Sequence, residues 1–261
     1  IQTSLVGSEM CIRDRKWGEK INCGLGRRTK VEIMAIEKWT EERLLKEEIS
    51  NLGSSWTRNK FFDDNGYLIL KKLCHPEKLF SEVPDKKGTM TYWGNKLSQY
   101  DHDNEEHQVE GSTARYWYPK YRQTHSKIRK VLEDIIGRKL YNTYYYERFY
   151  SSGQELWKHL DRPPCEISVS VHVSTNLKYP WPISLKKPNG ENIGIELEPG
   201  DGLLYKGCER PHWREKMPED PETENLYYHN IFFHYVLQDG NRAHHAFDLS
   251  LIHISEPTRL V

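Results

Sequence analysis

The sequence predicts a mainly β fold, a sandwich or barrel with helices packed on one face. Three observations carry this. From Leu140 onward apolar residues recur with a period of two, the alternation of strands buried on one side. A series of short apolar runs follows, punctuated by turn residues such as Ser151-Ser152-Gly153 and Pro188-Asn189-Gly190. Helical patterning is confined to the chain before Leu140, so strands and helices do not alternate as βαβ units would.

Taken in order, Glu37–Ile49 reads as an amphipathic helix marked by Trp39, Leu44, Leu45 and Ile49, and Asn51–Ser55 breaks it. Phe61–Leu70 reads as a turn feeding a strand, with Asn65-Gly66 as the turn signal. Gly88–Arg115 is polar, with acids and histidines around Asp101–Glu106, and predicts a long surface loop or lid. His125–Gly137 is the strongest helix: Ile128, Val131, Leu132, Ile135 and Ile136 share a face and Gly137 is a natural stop. Strands are predicted at Tyr144–Tyr150, Leu156–Leu160, Glu166–Thr175, Trp181–Leu185, Ile193–Leu197, Leu203–Tyr205 and Tyr227–Leu237. In Glu166–Thr175 the side chains of Ile167, Val169, Val171 and Val173 take one face. Ser168, Ser170 and His172 take the other, which either lines a cavity or meets solvent.

The chain has 261 residues, with 38 basic and 38 acidic side chains and no net charge. That balance argues against a nucleic-acid protein working by bulk positive charge. No run of about 18 apolar residues spans a membrane. Five cysteines without paired spacing make neither a disulfide framework nor a zinc site, which predicts a reducing, cytoplasmic setting. The ends stand apart. IQTSLVGSEMCIRDR at the start and LSLIHISEPTRLV at the finish resemble translated sequencing-adaptor DNA. Residues 16–33 are unpatterned. The expected organisation is therefore a leader over 1–33, one domain over 34–248 and a foreign tail over 249–261. Within the domain, 34–139 supplies the helical and lid part and 140–240 the β core.

His159-Leu160-Asp161 closes a predicted strand. Residues two apart on a strand point the same way, so imidazole and carboxylate can converge on one ion. Such a pair is common by chance. His212 gives it weight, because it opens a strand after the tight turn Pro199–Gly202 and the apolar run Leu203–Tyr205. Two His and one Asp form a facial triad that leaves coordination positions open, which suits Fe(II) holding a co-substrate and O2 together. A structural zinc site would be closed and usually rich in thiolate.

Three segments make a family likeness: YYYERFYSSGQELWKHLDRPPCEISVSVHVS, LEPGDGLLYKGCERPHWRE and HNIFFHYVLQDG, with FFDDNGYLIL upstream. In these the chain resembles the Fe(II)/2-oxoglutarate-dependent oxygenases, in particular the phytanoyl-hydroxylase-like and prolyl-hydroxylase-like groups common in phage and marine metagenomes. The resemblance implies a double-stranded β-helix (jelly-roll or cupin-like) core with iron near one open end. It implies His159, Asp161 and His212 as iron ligands, with 2-oxoglutarate and O2 as co-substrates and ascorbate as a stimulant. It further implies hydroxylation of an unactivated C–H bond, of an amino-acid or peptide side chain or of a small molecule. Tyr150, nine residues before His159, matches a Tyr whose hydroxyl meets 2-oxoglutarate in many members.

The sequence departs from that pattern at one place. Most members carry an Arg or Lys shortly after the distal His to pair with the far carboxylate of 2-oxoglutarate, and Pro221, Glu222 and Thr223 stand there instead. Arg214, two residues beyond His212 on the same face, and Arg148, two residues before Tyr150, are the available substitutes. A guanidinium can hold a carboxylate through two parallel hydrogen bonds. Arg162 is a further candidate, for the substrate or for bracing Asp161. A halogenase is disfavoured, because Asp161 fills the position such enzymes leave to halide. Two other readings stand beside the oxygenase: a non-catalytic β-barrel such as a virion component, and a cupin-like metal isomerase that uses no keto acid. Cys165 and Cys208 read as small core residues, and His229 and His234 as core or as backing for the ligands. Tyr92-Trp93-Gly94 and Arg115–Tyr118 either line a substrate pocket or pack against the sheet.

Overall fold

The computed structural model describes residues 59–82, 88, 90–93, 99–102 and 108–247. The expected helix over Glu37–Ile49 and both adaptor-like ends lie outside the described residues. The first helix, α1 (Lys60–Asn65), starts where the Asn59 side chain accepts from the Phe62 backbone N–H at 3.0 Å. It stops at Gly66, whose left-handed φ of 72° lets its N–H close on the Phe62 carbonyl oxygen. Asn65-Gly66 is thus a helix end, and the turn expected over Phe61–Asn65 is helical. Strand β1 (Tyr67–Leu70) follows directly, then the one-turn helix α2 (Pro76–Leu79).

The polar stretch expected to be a long loop instead carries three strands: β2 (Met90–Trp93), β3 (Gln99–His102) and β4 (Thr113–Tyr116). They extend a sheet, because β4 pairs antiparallel with β5 (Leu140–Ser151) and the others continue outward from it. Helix α3 (Arg122–Ile136) lies between β4 and β5 in sequence. His125, Ile128, Val131, Leu132, Ile135 and Ile136 form its buried stripe, as the periodicity predicted, and Gly137 caps it in the left-handed conformation.

The remaining strands are β6 (Leu156–His159), β7 (Ile167–Thr175), β8 (Ile183–Lys186), β9 (Asn192–Ile195), β10 (Gly202–Tyr205), β11 (His212–Arg214) and β12 (Tyr227–Leu237). They form two sheets, one of eight strands ordered β1-β10-β7-β12-β5-β4-β2-β3 and one of four ordered β6-β11-β8-β9. The two sheets face one another, which is the double-stranded β-helix layout. The alternation along β7 explains why both of its faces are buried. Val169, Val171 and Val173 join Ile231, Phe233 and the stripe of α3 in one core on the outer side of the large sheet. Ser168, Ser170 and His172 point the other way, into the space between the sheets, and all three are buried. The solvent-facing reading of that face is therefore excluded. A second core between the sheets joins Ile183, Leu185, Ile193 and Ile195 of the small sheet to Tyr67, Ile69, Leu203 and Tyr205 of the large one. Among the described residues no helix is long and apolar enough to cross a membrane.

Candidate metal centre

The small sheet positions both histidines. His159 ends β6, His212 begins β11, and the two residues are direct antiparallel partners, so their rings stand side by side with centroids 4.2 Å apart. Asp161 follows β6, and its backbone N–H donates to the Gly207 carbonyl oxygen at 3.0 Å. That anchor turns its carboxylate toward the histidines: Oδ1 is 3.6 Å from His159 Nε2 and 3.5 Å from His212 Nε2. Ligands about 2.1 Å from one ion lie at most about 4 Å apart, so this spacing fits a divalent metal.

The tautomers are set by backbone. His159 Nδ1 lies 2.7 Å from the Trp157 carbonyl oxygen and His212 Nδ1 lies 3.0 Å from that of Arg210. A carbonyl only accepts, so each Nδ1 carries the proton and each Nε2 offers its lone pair toward Asp161. Burial, then the neighbouring His159, lowers the His212 pKa to about 4, which keeps the ring neutral and able to ligate at neutral pH. Burial would push the Asp161 carboxyl up, but the facing His212 and His159 rings outweigh it and hold it well below the usual carboxylate range. Two imidazole nitrogens and one carboxylate, facing a common point, are the donor set that a 2-His-1-carboxylate iron site requires.

Behind the carboxylate, Ser168 Oγ donates to Asp161 Oδ2 at 2.8 Å and is 2.9 Å from His234 Nδ1. Asp161, Cys165 and His234 also come within 4.8 Å of one another. Burial, then the nearby Asp161, pushes the Cys165 thiol well above its usual range, so it offers no ready thiolate. His234 therefore lies behind Asp161, joined to it through Ser168. His229 does not: it sits on the opposite face of β12, with Nε2 2.7 Å from Glu147 Oε2.

The three residues expected to meet the co-substrate all point between the sheets and are fully or almost fully buried. Arg214 donates to the Trp181 carbonyl oxygen, and its guanidinium carbon lies 4.7 and 4.5 Å from the Trp181 and Tyr228 ring centroids. With its amide turned to satisfy both ends, Asn230 accepts from Ser170 Oγ at 3.1 Å and from Arg214 Nη2 at 3.2 Å. Arg148 Nη1 lies 3.4 Å from the Tyr150 hydroxyl, and its Nη2 donates to Gln108 Oε1 at 2.8 Å. Tyr150 packs edge-on against Trp181, with centroids 5.1 Å apart. Arg162 does not brace Asp161; it donates to the Tyr144 hydroxyl at 2.7 Å. Tyr92 and Tyr116 join a stack through Tyr146 to Phe232, with successive centroids 4.7–4.8 Å apart, so these rings pack on the sheet.

No family model matches the chain, and no curated protein matches it in sequence. Similarity to solved structures is found in the fold. The chain is similar to Fe(II)/2-oxoglutarate oxygenases of known structure. One is a prolyl-4-hydroxylase from Pseudomonas putida, at 12% identity over 66% of this chain and 94% of that one, with a TM-score of 0.49. A 2-oxoglutarate–Fe(II) oxygenase family oxidoreductase from Burkholderia pseudomallei has 10% identity, covering 65% of this chain and 84% of its own, with a TM-score of 0.44. HygX from Streptomyces hygroscopicus, solved with nickel and 2-oxoglutarate bound, has 9% identity over 75% of this chain and 87% of its own, with a TM-score of 0.43.

Proposed function

We propose that this protein is an Fe(II)- and 2-oxoglutarate-dependent dioxygenase that hydroxylates an unactivated C–H bond, of an amino-acid or peptide side chain or a comparable small molecule. The observation that carries the reading is the convergence of His159 Nε2, Asp161 Oδ1 and His212 Nε2, with both imidazole protons tied away on backbone carbonyls. When bound, Fe(II) with 2-oxoglutarate and O2 supplies the oxidising power and releases succinate and CO2. A reducing cytoplasm, which keeps iron divalent, suits this chemistry.

The chain's own residues bind and orient. His159, Asp161 and His212 would hold the metal through three ligand atoms, which would leave it room for the co-substrate and O2. Ser168 holds the carboxylate in register through Oδ2. Arg214 receives the far carboxylate of 2-oxoglutarate. It lies on the inward face of β11, two residues deeper than His212, or about 7 Å at 3.3 Å per residue. It is buried between two aromatic rings, where an ion pair is little screened. Tyr150 and Arg148 border the same space.

The test is succinate release from 2-oxoglutarate with Fe(II) and O2, read across a panel of amino acids and peptides by a mass gain of one oxygen. His212→Ala is expected to abolish metal binding and succinate release while leaving the far-ultraviolet dichroism unchanged. A folded His212→Ala protein with unaltered succinate release would sink the triad. Arg214→Met is expected to raise the Michaelis constant for 2-oxoglutarate at least about thirtyfold, since losing one partner of a buried charge pair costs 2 kcal/mol or more. Metal binding without keto-acid turnover would favour the isomerase or the non-catalytic barrel.

A further inference from the structure

Gln108 touches both halves of the site. Its Nε2 lies 2.9 Å from His159 Nε2, and its Oε1 accepts from Arg148 Nη2 at 2.8 Å. Because the Trp157 carbonyl holds the His159 proton on Nδ1, the first contact is a donation from the Gln108 amide into the Nε2 lone pair. That lone pair is the one a metal at His159 would use. An imidazole nitrogen has a single lone pair, so this hydrogen bond and coordination exclude one another. The backbone beside Gln108 is pinned: Val109 and Ser112 are buried, and the Ser112 N–H donates to the Val109 carbonyl oxygen at 3.0 Å. Rotation of the Gln108 side-chain torsions is enough for release and leaves this turn in place.

We infer that Gln108 is a latch that ties the metal ligand His159 to Arg148 and that a divalent metal opens. The inference rests on His159 being a metal ligand. Its consequence is that metal affinity is set partly by a residue that is not a ligand. Part of the free energy of coordination goes into breaking the Gln108–His159 bond, and removing that bond should tighten metal binding. A residue that merely packs, or that supports His159 in the loaded protein, predicts the opposite sign.

The experiment is Co(II) titration of the full chain by calorimetry, for wild type, Gln108→Ala and Gln108→Leu. Leu keeps most of the volume of Gln and donates nothing, so it controls for packing loss in Ala. Both variants are expected to bind Co(II) about three- to tenfold more tightly, the range a neutral hydrogen bond is worth. Binding that is unchanged or weaker in both overturns the latch. A second readout needs no variant: the Gln108 side-chain amide resonances of 15N-labelled wild type should move in step with Zn(II) up to saturation. Resonances that stay put also overturn it. Wild type that binds no Co(II) would overturn the metal-centre reading along with the latch, whereas metal binding that Gln108 does not influence would overturn the latch alone.

Discussion

At the scale of single residues, the tightest constraint on the centre comes from a residue with no side chain. Gly207 lies against Asp161: a Cβ added there would overlap Asp161 Oδ2 and the Cys165 carbonyl oxygen. The Gly207 carbonyl is also the acceptor for the Asp161 N–H, so backbone and carboxylate approach closely at one point. Gly207→Ala must displace either the ligand or the backbone behind it. We expect metal affinity to fall at least about tenfold, with stability lowered by roughly 1–3 kcal/mol, typical of overpacking, measured by Co(II) titration and urea unfolding. The closeness of His159 and Asp161 was legible in the sequence, because H-x-D spacing on a strand is local, whereas His212 was singled out through the family resemblance. Parity also pointed Arg148 and Arg214 inward with Tyr150 and His212. Their partners were not legible. Gln108 sits in a stretch without period, and its role exists only because the fold brings it 51 positions along the chain to His159. Asn230 and Ser170 meet across neighbouring strands in the same way.

At the scale of elements, the region least well read was the one joined to the sheet by a buried charge. Arg115 on β4 pairs with Glu147 on β5, and Glu147 Oε2 also accepts from Tyr121 OH at 2.6 Å and Ser81 Oγ at 2.8 Å and faces His229 of β12 at 2.7 Å. Burial would raise the Glu147 pKa, but the hydrogen bond from His229 and the charge of Arg115 prevail and lower it. This cluster clamps β4, β5 and β12, together with the chain around Ser81, on the face opposite the metal centre. A polar, acid-rich sequence reads as a loop because its local preference is weak, and a tertiary ion pair then recruits it into a sheet. Arg148 adjoins Glu147 on the same strand, so the clamp also holds the strand that carries it. Glu147→Ala strands Arg115 and His229 in the interior. We expect a loss of about 3–5 kcal/mol, the cost of breaking a buried pair, seen in urea unfolding as a lower midpoint. Glu147→Gln keeps hydrogen-bonding capacity and should lose less.

At the scale of the whole molecule, the two-sheet architecture buries histidines on both sides of the large sheet, and this couples stability to pH. His125 sits in the helix-side core, with its Nε2 3.0 Å from the His234 carbonyl oxygen, and burial brings its pKa down to about 3. His172 lies between the sheets, stacked on Tyr228, and burial followed by the charge of Arg214 brings its pKa down to about 3. Neither is a proposed ligand. Each titrates near 6.5 when unfolded. Between about pH 6.5 and 3 these two rings alone take up two protons in the unfolded chain that the folded chain refuses, and stability falls as pH falls. Above about 6.5 neither state is protonated and this contribution is complete. Asp161 acts in the same direction but at lower pH. Its depressed pKa gives stability that is full above the ordinary carboxylate range and fades only below it, so it adds to the acid loss only below the window in which the histidines act. For the metal-free protein, these two rings should lower the unfolding free energy by about 3 kcal/mol per pH unit near pH 5, roughly 1.4 for each histidine, and the likewise depressed His212 and His234 add in the same direction. Urea titrations at pH 7.5, 6.0 and 5.0 measure this directly. A flat profile would mean that water or a counter-charge reaches these rings, and with it that the interior between the sheets is wetter than their burial implies.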